Sequence, residues 1–275
     1  MWVLQDEDST IYITGTIHVL RDGMQWRSAK LDAALAESDE LWLELAEIAA
    51  PEGLMAAVYP VLERFAAYDG TPLSELLTEE ENATLHAELQ KVGAPQHIFD
   101  NLDRMEPWYA TYALGLSRSL GGDYDEKNAI DDALARLAVE QGIPVNGMES
   151  LEDQVVLMTG ASISDQLDEL RLALKSPPGL GQAMQRVSDL AYGSWIRGET
   201  HMVEALVAMM GISAGISGGS TDPLLADRNA NWVDVIEELL DGSGVHFIGV
   251  GAAHLVGPDS LFVMLEQRGI KSKRY

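Results

Sequence analysis

Residues Val245–Gly257, Val-His-Phe-Ile-Gly-Val-Gly-Ala-Ala-His-Leu-Val-Gly, constrain the fold more than any other stretch of the chain. Val245, Phe247, Ile248 and Val250 form an apolar run broken only by His246, which predicts a strand covered on both faces, in a parallel or mixed sheet. Gly249 and Gly251 stand where that strand should stop, and glycine there permits a sharp turn or the close approach of a ligand. His254 follows the turn, and Pro258-Asp259-Ser260 then opens a helix. Open α/β sheets place ligands beyond the carboxyl ends of their strands, which is where His254 falls. The same construction occurs near the start, where the β-rich run from Thr10 leads to Gly15-Thr16-Ile17-His18. Two strand–Gly-x-x-His units in a chain with six histidines point to one shared site.

The rest of the chain supplies an α/β alternation around these strands. Trp2–Gln5 and Thr10–Thr16 flank the polar turn Asp6-Glu7-Asp8-Ser9, a predicted hairpin. A short amphipathic helix (Ser28–Glu37) precedes the strand Glu40–Leu45. A helix over Asp125–Gln141, stopped by Gly142, precedes the strand Ile143–Met148. Residues 51–120 and 151–240 read as largely helical, with Thr78-Glu79-Glu80-Glu81 as a capping box, Pro107-Trp108-Tyr109 as core or cleft lining, and breaks at Ser176-Pro177-Pro178-Gly179 and at the glycine-rich Gly211–Thr221, a mobile loop by composition. The expected architecture is a single domain over residues 1–275: a mixed central sheet with large helical insertions, closed by a helix over Pro258–Arg268 and a strand over Lys271–Tyr275.

Composition narrows the chemistry. Eighteen basic against 44 acidic residues leave a net charge of −26, which excludes a phosphate-backbone partner because no basic surface can release counterions. With no cysteine, any metal must be held by histidine or carboxylate. No stretch has the ~18–20 apolar residues of a spanning helix. A chain beginning almost directly in a strand is read either as cytosolic or as an exported protein lacking its leader. No nucleophile elbow, P-loop or dinucleotide fingerprint is read; His86 reads as a surface residue in mid-helix, His97 and His201 show no helical zinc spacing, and His246 reads as a core histidine.

Four residues at predicted strand ends remain: His18, Glu44, Glu149 and His254. Two imidazoles with carboxylates suit a divalent first-row metal with open positions. The two carboxylates, and an arginine elsewhere, also have plainer readings. Glu44 fits a solvent-facing strand position, Glu149 a helix cap, and Arg228, on the helix Asp222–Asp241, a surface charge.

The stretches GTIHVL, LWLEL, GMESLEDQ, DRNANW and VGAAHLVGPDSL, in that order along nearly the whole chain, resemble the TraB/GumN family, which includes pheromone-shutdown proteins and Tiki-type proteases. The resemblance implies an α/β core of the erythromycin esterase/ChaN type and a divalent-metal site (manganese, cobalt or zinc). By motif it places His18 and His254 at the two Gly-x-x-His histidines, Glu44 and Glu149 at the site glutamates, and Arg228 and Asn229 at the Arg-Asn pair. It implies a soluble, exported, GumN-like protein. The expected function is metal-assisted hydrolysis of an amide bond in a peptide or small-molecule substrate, one glutamate holding metal, the other acting as base, and Arg228 stabilising the oxyanion or clamping a substrate carboxylate. The alternative is a non-catalytic protein that sequesters a peptide, ligand or haem on the same fold.

Overall fold

The computed structural model describes residues 1–18, 20–21, 23–50, 54–91, 94, 96–119, 124–125, 129–175, 180–213 and 223–275. In chain order the elements begin with β1 (Trp2–Gln5), β2 (Ser9–Thr16), β3 (Leu20–Arg21), α1 (Ala29–Ala36) and β4 (Glu40–Leu43). Then follow α2 (Leu54–Ala66), α3 (Leu73–Leu76), α4 (Glu79–Lys91), α5 (Gln96–Asn101), α6 (Pro107–Ser119) and β5 (Tyr124–Asp125). Helix α7 (Ile130–Gln141) and β6 (Val145–Gly147) come next, then α8 (Leu151–Met158), α9 (Ile163–Leu174), α10 (Leu180–Ile196), α11 (Thr200–Ser213) and α12 (Pro223–Asp241). The chain closes with β7 (Gly244–Gly251), α13 (Leu261–Gln267) and β8 (Lys273–Arg274).

Two compact units result: Met1–Pro51 with Glu126–Ser150 and Arg186–Tyr275, and Glu52–Asp125 with Leu151–Gln185. The first carries a six-stranded sheet in the order β6-β4-β7-β2-β1-β8. β6, β4, β7 and β2 run parallel, while β1 pairs antiparallel with both β2 and β8. The class is therefore mixed α/β, with β7 paired on both sides at the centre and covered on both faces by helices, which is why its sequence is apolar on both faces. The predicted hairpin is present, with Trp2 opposite Ile13 and Gln5 opposite Thr10.

Alternation along β7 sends its side chains to two different layers. Ile248 and Val250 join Ile11, Ile13, Trp232, Val233 and Ile236 in one core, so α12 covers that face. Gly249 faces the other way, where a Cβ would lie 3.1 Å from both Leu134 of α7 and Leu43 of β4. Helix α7 seats Ile130, Leu134, Ala135 and Ala138 in the interior and ends at Gly142 in the left-handed conformation (φ 73°), the stop expected of glycine there.

Several boundaries are tighter than the sequence suggests. Glu40–Leu45 pairs only as far as Leu43, because the chain turns into a 3-10 helix at Ala46–Ala49. The strand expected over Ile143–Met148 spans Val145–Gly147, and the last strand is two residues long. Helix α7 starts at Ile130, α13 runs Leu261–Gln267, and α11 continues through Gly211 to Ser213. Ser176–Gly179, residues 214–221 of the expected loop and residue 222 lie outside the described residues. The second unit is helical as expected. Its capping box forms, Thr78 N–H donating to Glu81 Oε2 at 2.9 Å and Glu81 N–H to Thr78 Oγ1 at 3.2 Å. Trp108 and Tyr109 are 5% and 1% exposed, which makes them core.

Candidate functional site

Register brings the predicted residues to one end of the sheet. Thr16 of β2 lies opposite Gly251 of β7, and Leu43 of β4 lies opposite both Gly249 and Gly147 of β6. His18, Glu44, Glu149 and His254 each follow the last residues of those four strands. Backbone bonds extend the alignment past the paired residues, with Met148 N–H donating to Leu43 O at 2.7 Å and Glu149 N–H to Glu44 O at 3.2 Å.

Glu44 is the hub. Its side chain is 8% exposed, a position that burial makes costly for a charge without partners. Gly251 N–H donates to its Oε1 at 2.7 Å, and Arg228 Nη2 donates to its Oε2 at 2.5 Å. The same Oε1 lies 3.7 Å from His18 Nε2 and 3.9 Å from His254 Nε2. Burial disfavours the Glu44 charge, but the histidines, Arg228 and the Gly251 amide outweigh it and hold the carboxyl at about 2. Gly251 keeps this approach open: a Cβ would stand 3.0 Å from Glu44 Oε1, a tight contact, and 3.5 Å from His18 Nε2.

Both imidazoles are oriented from behind. His18 Nδ1 lies 2.8 Å from Asp131 Oδ2; an ionised carboxylate only accepts, so Nδ1 carries a proton and Nε2 turns to Glu44. His254 Nδ1 lies 2.8 Å from Asn229 Oδ1. The Asn229 amide nitrogen donates to the carbonyls of Asp259 (2.8 Å) and His254 (3.4 Å), which fixes its oxygen as the acceptor and leaves His254 Nε2 facing the hub. Trp232 stacks on the His254 ring at 4.2 Å.

The two histidines differ in charge. Protein atoms crowding His18 oppose its protonation, but the charge and hydrogen bond of Asp131, with Glu44 beyond, raise it to about 9. Its side chain keeps 55% of its surface open to solvent, so that pairing is screened. His254, 3% exposed, is pushed down to about 4 by burial, which Glu44 only partly offsets. At neutral pH the metal-free site therefore holds one imidazolium and one neutral imidazole.

Arg228 and Glu149 form the other half. Arg228 Nε donates to both Glu149 oxygens at 2.9 and 3.1 Å, its Nη2 lies 2.6 Å from Oε1, and Trp232 Nε1 donates to Oε2 at 3.2 Å. Burial raises the Glu149 pKa, and the hydrogen bonds and charge of Arg228 only partly counter it. With a side chain 12% exposed and engaged by two carboxylates, Arg228 is no surface charge. All six predicted residues come together, and Arg228 joins the two glutamates.

Asp131 and Trp232 enter the site without having been singled out for it. Asp131 carried a readable signal: it lies three, four and seven residues before Leu134, Ala135 and Ala138 on the buried stripe of α7, where an aspartate needs a partner. The spacing Gly-x-Ser-x-Gly does occur, at Gly211–Gly215 and Gly215–Gly219. Ser213, however, closes a helix rather than following a strand, which is not the setting of a nucleophile elbow.

The residues fit a divalent ion in part. His18 Nε2, His254 Nε2 and Glu44 Oε1 are of the right chemistry, and Asp131 and Asn229 hold the rings as partners behind metal-binding histidines do. Bonds of ~2.1 Å to a tetrahedral ion put donors ~3.4 Å apart, so the spacings of 3.7 and 3.9 Å must close by a few tenths of an ångström. Among the described residues no group of three or more His, Asp or Glu stands ready as a metal cage. Glu149 fits least, since Arg228 and Trp232 hold its oxygens.

The fold and this edge define a mixed α/β protein with a buried His/Glu/Arg/Asn site at the carboxyl ends of its parallel strands. The TraB/PrgY/gumN family model matches residues 1–274, and the chain belongs to that family. An uncharacterized protein of Treponema pallidum (strain Nichols) is 21% identical over 274 residues, which cover 97% of this chain and 80% of the relative. No solved structure matches the chain, so the likeness to the erythromycin esterase/ChaN core rests on sequence resemblance alone. No described helix is long and apolar enough to cross a membrane.

Proposed function

We propose that the protein is a divalent-metal-dependent hydrolase acting on amide bonds, with His18, His254 and Glu44 as ligands. One observation carries this reading: two imidazoles, each oriented from behind by Asp131 or Asn229, turn their Nε2 atoms to the same carboxylate oxygen. When bound, manganese, cobalt or zinc supplies Lewis acidity and brings a water pKa toward ~7. Arg228 keeps both carboxylates in place, and its Nη1 makes no hydrogen bond with the described residues, which leaves a donor for an oxyanion or a substrate carboxylate. Glu149 is assigned the proton-accepting role, because burial raises its affinity for a proton. Asn229 acts through His254 and is a positioning residue.

The test is incubation of purified protein with a peptide library and each metal in turn, read by mass spectrometry, beside His18→Ala, His254→Ala and Glu149→Gln. Metal-dependent cleavage, lost in both histidine variants, is expected. Glu149→Gln should keep its metal affinity and lose turnover at least ~100-fold, the usual scale of general-base loss. Metal binding without cleavage of any peptide would replace the hydrolase with a sequestering protein. Turnover within a few-fold in Glu149→Gln would limit that residue to holding Arg228.

A further inference from the structure

The same unit contains a cavity of about 380 Å³ beside the histidine–glutamate cluster, at the same end of the sheet. Its wall includes Thr14 and Gly15 at the end of β2, Ala252 and Leu255 from the turn after β7, and Trp2, which pairs with Ile13 on one side and Arg274 on the other. Gly15 holds the wall open. A Cβ there would lie 2.9 Å from Trp195 Nε1 and 3.1 Å from Ala252 Cα. Ala252 directly follows Gly251, whose amide binds Glu44, so one residue separates the cavity from the hub.

The charge of this wall is opposite to that of the chain. Of 275 residues 44 are acidic and 18 basic, yet among the described residues no aspartate or glutamate lines the cavity while Arg27, Lys30, Arg197 and Arg274 do. Their present engagements leave positive charge to spare. Arg27 and Arg197 pair with Asp32 and Glu199, Arg274 donates to the Gly198 carbonyl and lies over the Trp2 ring at 4.1 Å, and Lys30 lies over the Tyr275 ring at 4.3 Å. Trp26 and Trp195 add apolar faces. A cavity at the small end of the ligand-site range, lined by polar and apolar surface in similar measure with four cations among its residues, selects an anion attached to an apolar group. It cannot take a folded partner.

We propose that this cavity is a substrate subsite for the carboxyl-terminal end of a peptide whose last residue is apolar or aromatic. The carboxylate sits against the Lys30–Arg27 rim, and the side chain lies among Trp2, Trp26 and Trp195. The peptide identity rests on the hydrolase reading above; the anion-binding cavity does not. Full-length metal-free protein is titrated with N-acetyl-alanyl-phenylalanine and with its C-terminal amide, followed by tryptophan fluorescence and calorimetry. The acid should bind at least tenfold more tightly than the amide. Lys30→Glu should remove that preference, and His18→Ala should leave it intact. Equal binding of acid and amide, no binding of either, or an unchanged preference in Lys30→Glu with native fluorescence overturns the subsite. Loss of the preference in His18→Ala places the carboxylate at the histidines instead, and also overturns it. Because no metal or turnover is involved, failure here leaves the metal-dependent cleavage test with His18→Ala and His254→Ala untouched, and failure there leaves this binding standing.

Discussion

Arg228 shows how much of the site hangs on one side chain. It pairs with both Glu44 and Glu149 at the ends of β4 and β6. Removing one partner of a buried ionic set leaves the other charges unpaired, a loss of about 3–5 kcal/mol. Arg228→Ala should lower stability on that scale in urea unfolding, and lysine should not rescue it, because the paired contacts need a planar guanidinium. A loss below about 1 kcal/mol would show that the glutamates are paired by other groups. His18 sets a pH dependence. Its folded pKa, raised to about 9 by Asp131 against an ordinary 6.5, means that the folded chain binds its proton more tightly than the unfolded one. The stability this gives to metal-free protein is therefore complete below about pH 6.5 and disappears as pH rises through about 9. Melting temperatures across that window should fall in the parent and flatten in Asp131→Asn; parallel curves would contradict the assignment.

At the scale of elements, the close packing of α7 on the sheet is maintained by Gly249. Its missing Cβ leaves room for Leu134 and Leu43 at 3.1 Å, and overpacking of this kind costs about 1–3 kcal/mol. Gly249→Ala should show that loss in denaturant unfolding with the histidine geometry kept; no loss would mean that α7 shifts freely. The strand–Gly-x-x-His units were legible because their signal is local: apolar runs give the strands, and the glycines mark their ends. Glu44 and Glu149 were legible for the same reason, as acids at or just past strand ends. Asp131 was not singled out, because in the helix expected over Asp125–Gln141 nothing local shows what an aspartate on the apolar stripe pairs with. Recognising its role requires knowing that α7 returns to the loop after β2, where Ile130 N–H bonds Ile17 O at 3.1 Å. Strand ends such as Leu43 and Gly147 depend on pairing partners distant in sequence, which local propensity does not register.

Across the whole molecule, sequence order and spatial order separate. The described part of residues 151–240 divides between the two units, and α12 belongs to the sheet-bearing one, where it delivers Arg228, Asn229 and Trp232 to strand ends far away in the chain. Helicity was readable from periodicity; which unit each helix joins depends on long-range burial. The net charge of −26 sits mostly away from the cavity beside the site, so a divalent cation and an anionic peptide end meet different surroundings at one sheet edge. His18, His254 and Glu44 are proposed to form one metal centre, and crystals grown with zinc and measured on both sides of its absorption edge would reveal it. A single strong anomalous peak is expected ~2.0–2.2 Å from His18 Nε2, His254 Nε2 and Glu44 Oε1, absent in His254→Ala. A fully loaded crystal with no peak among these three atoms, or with its peak elsewhere, would contradict it.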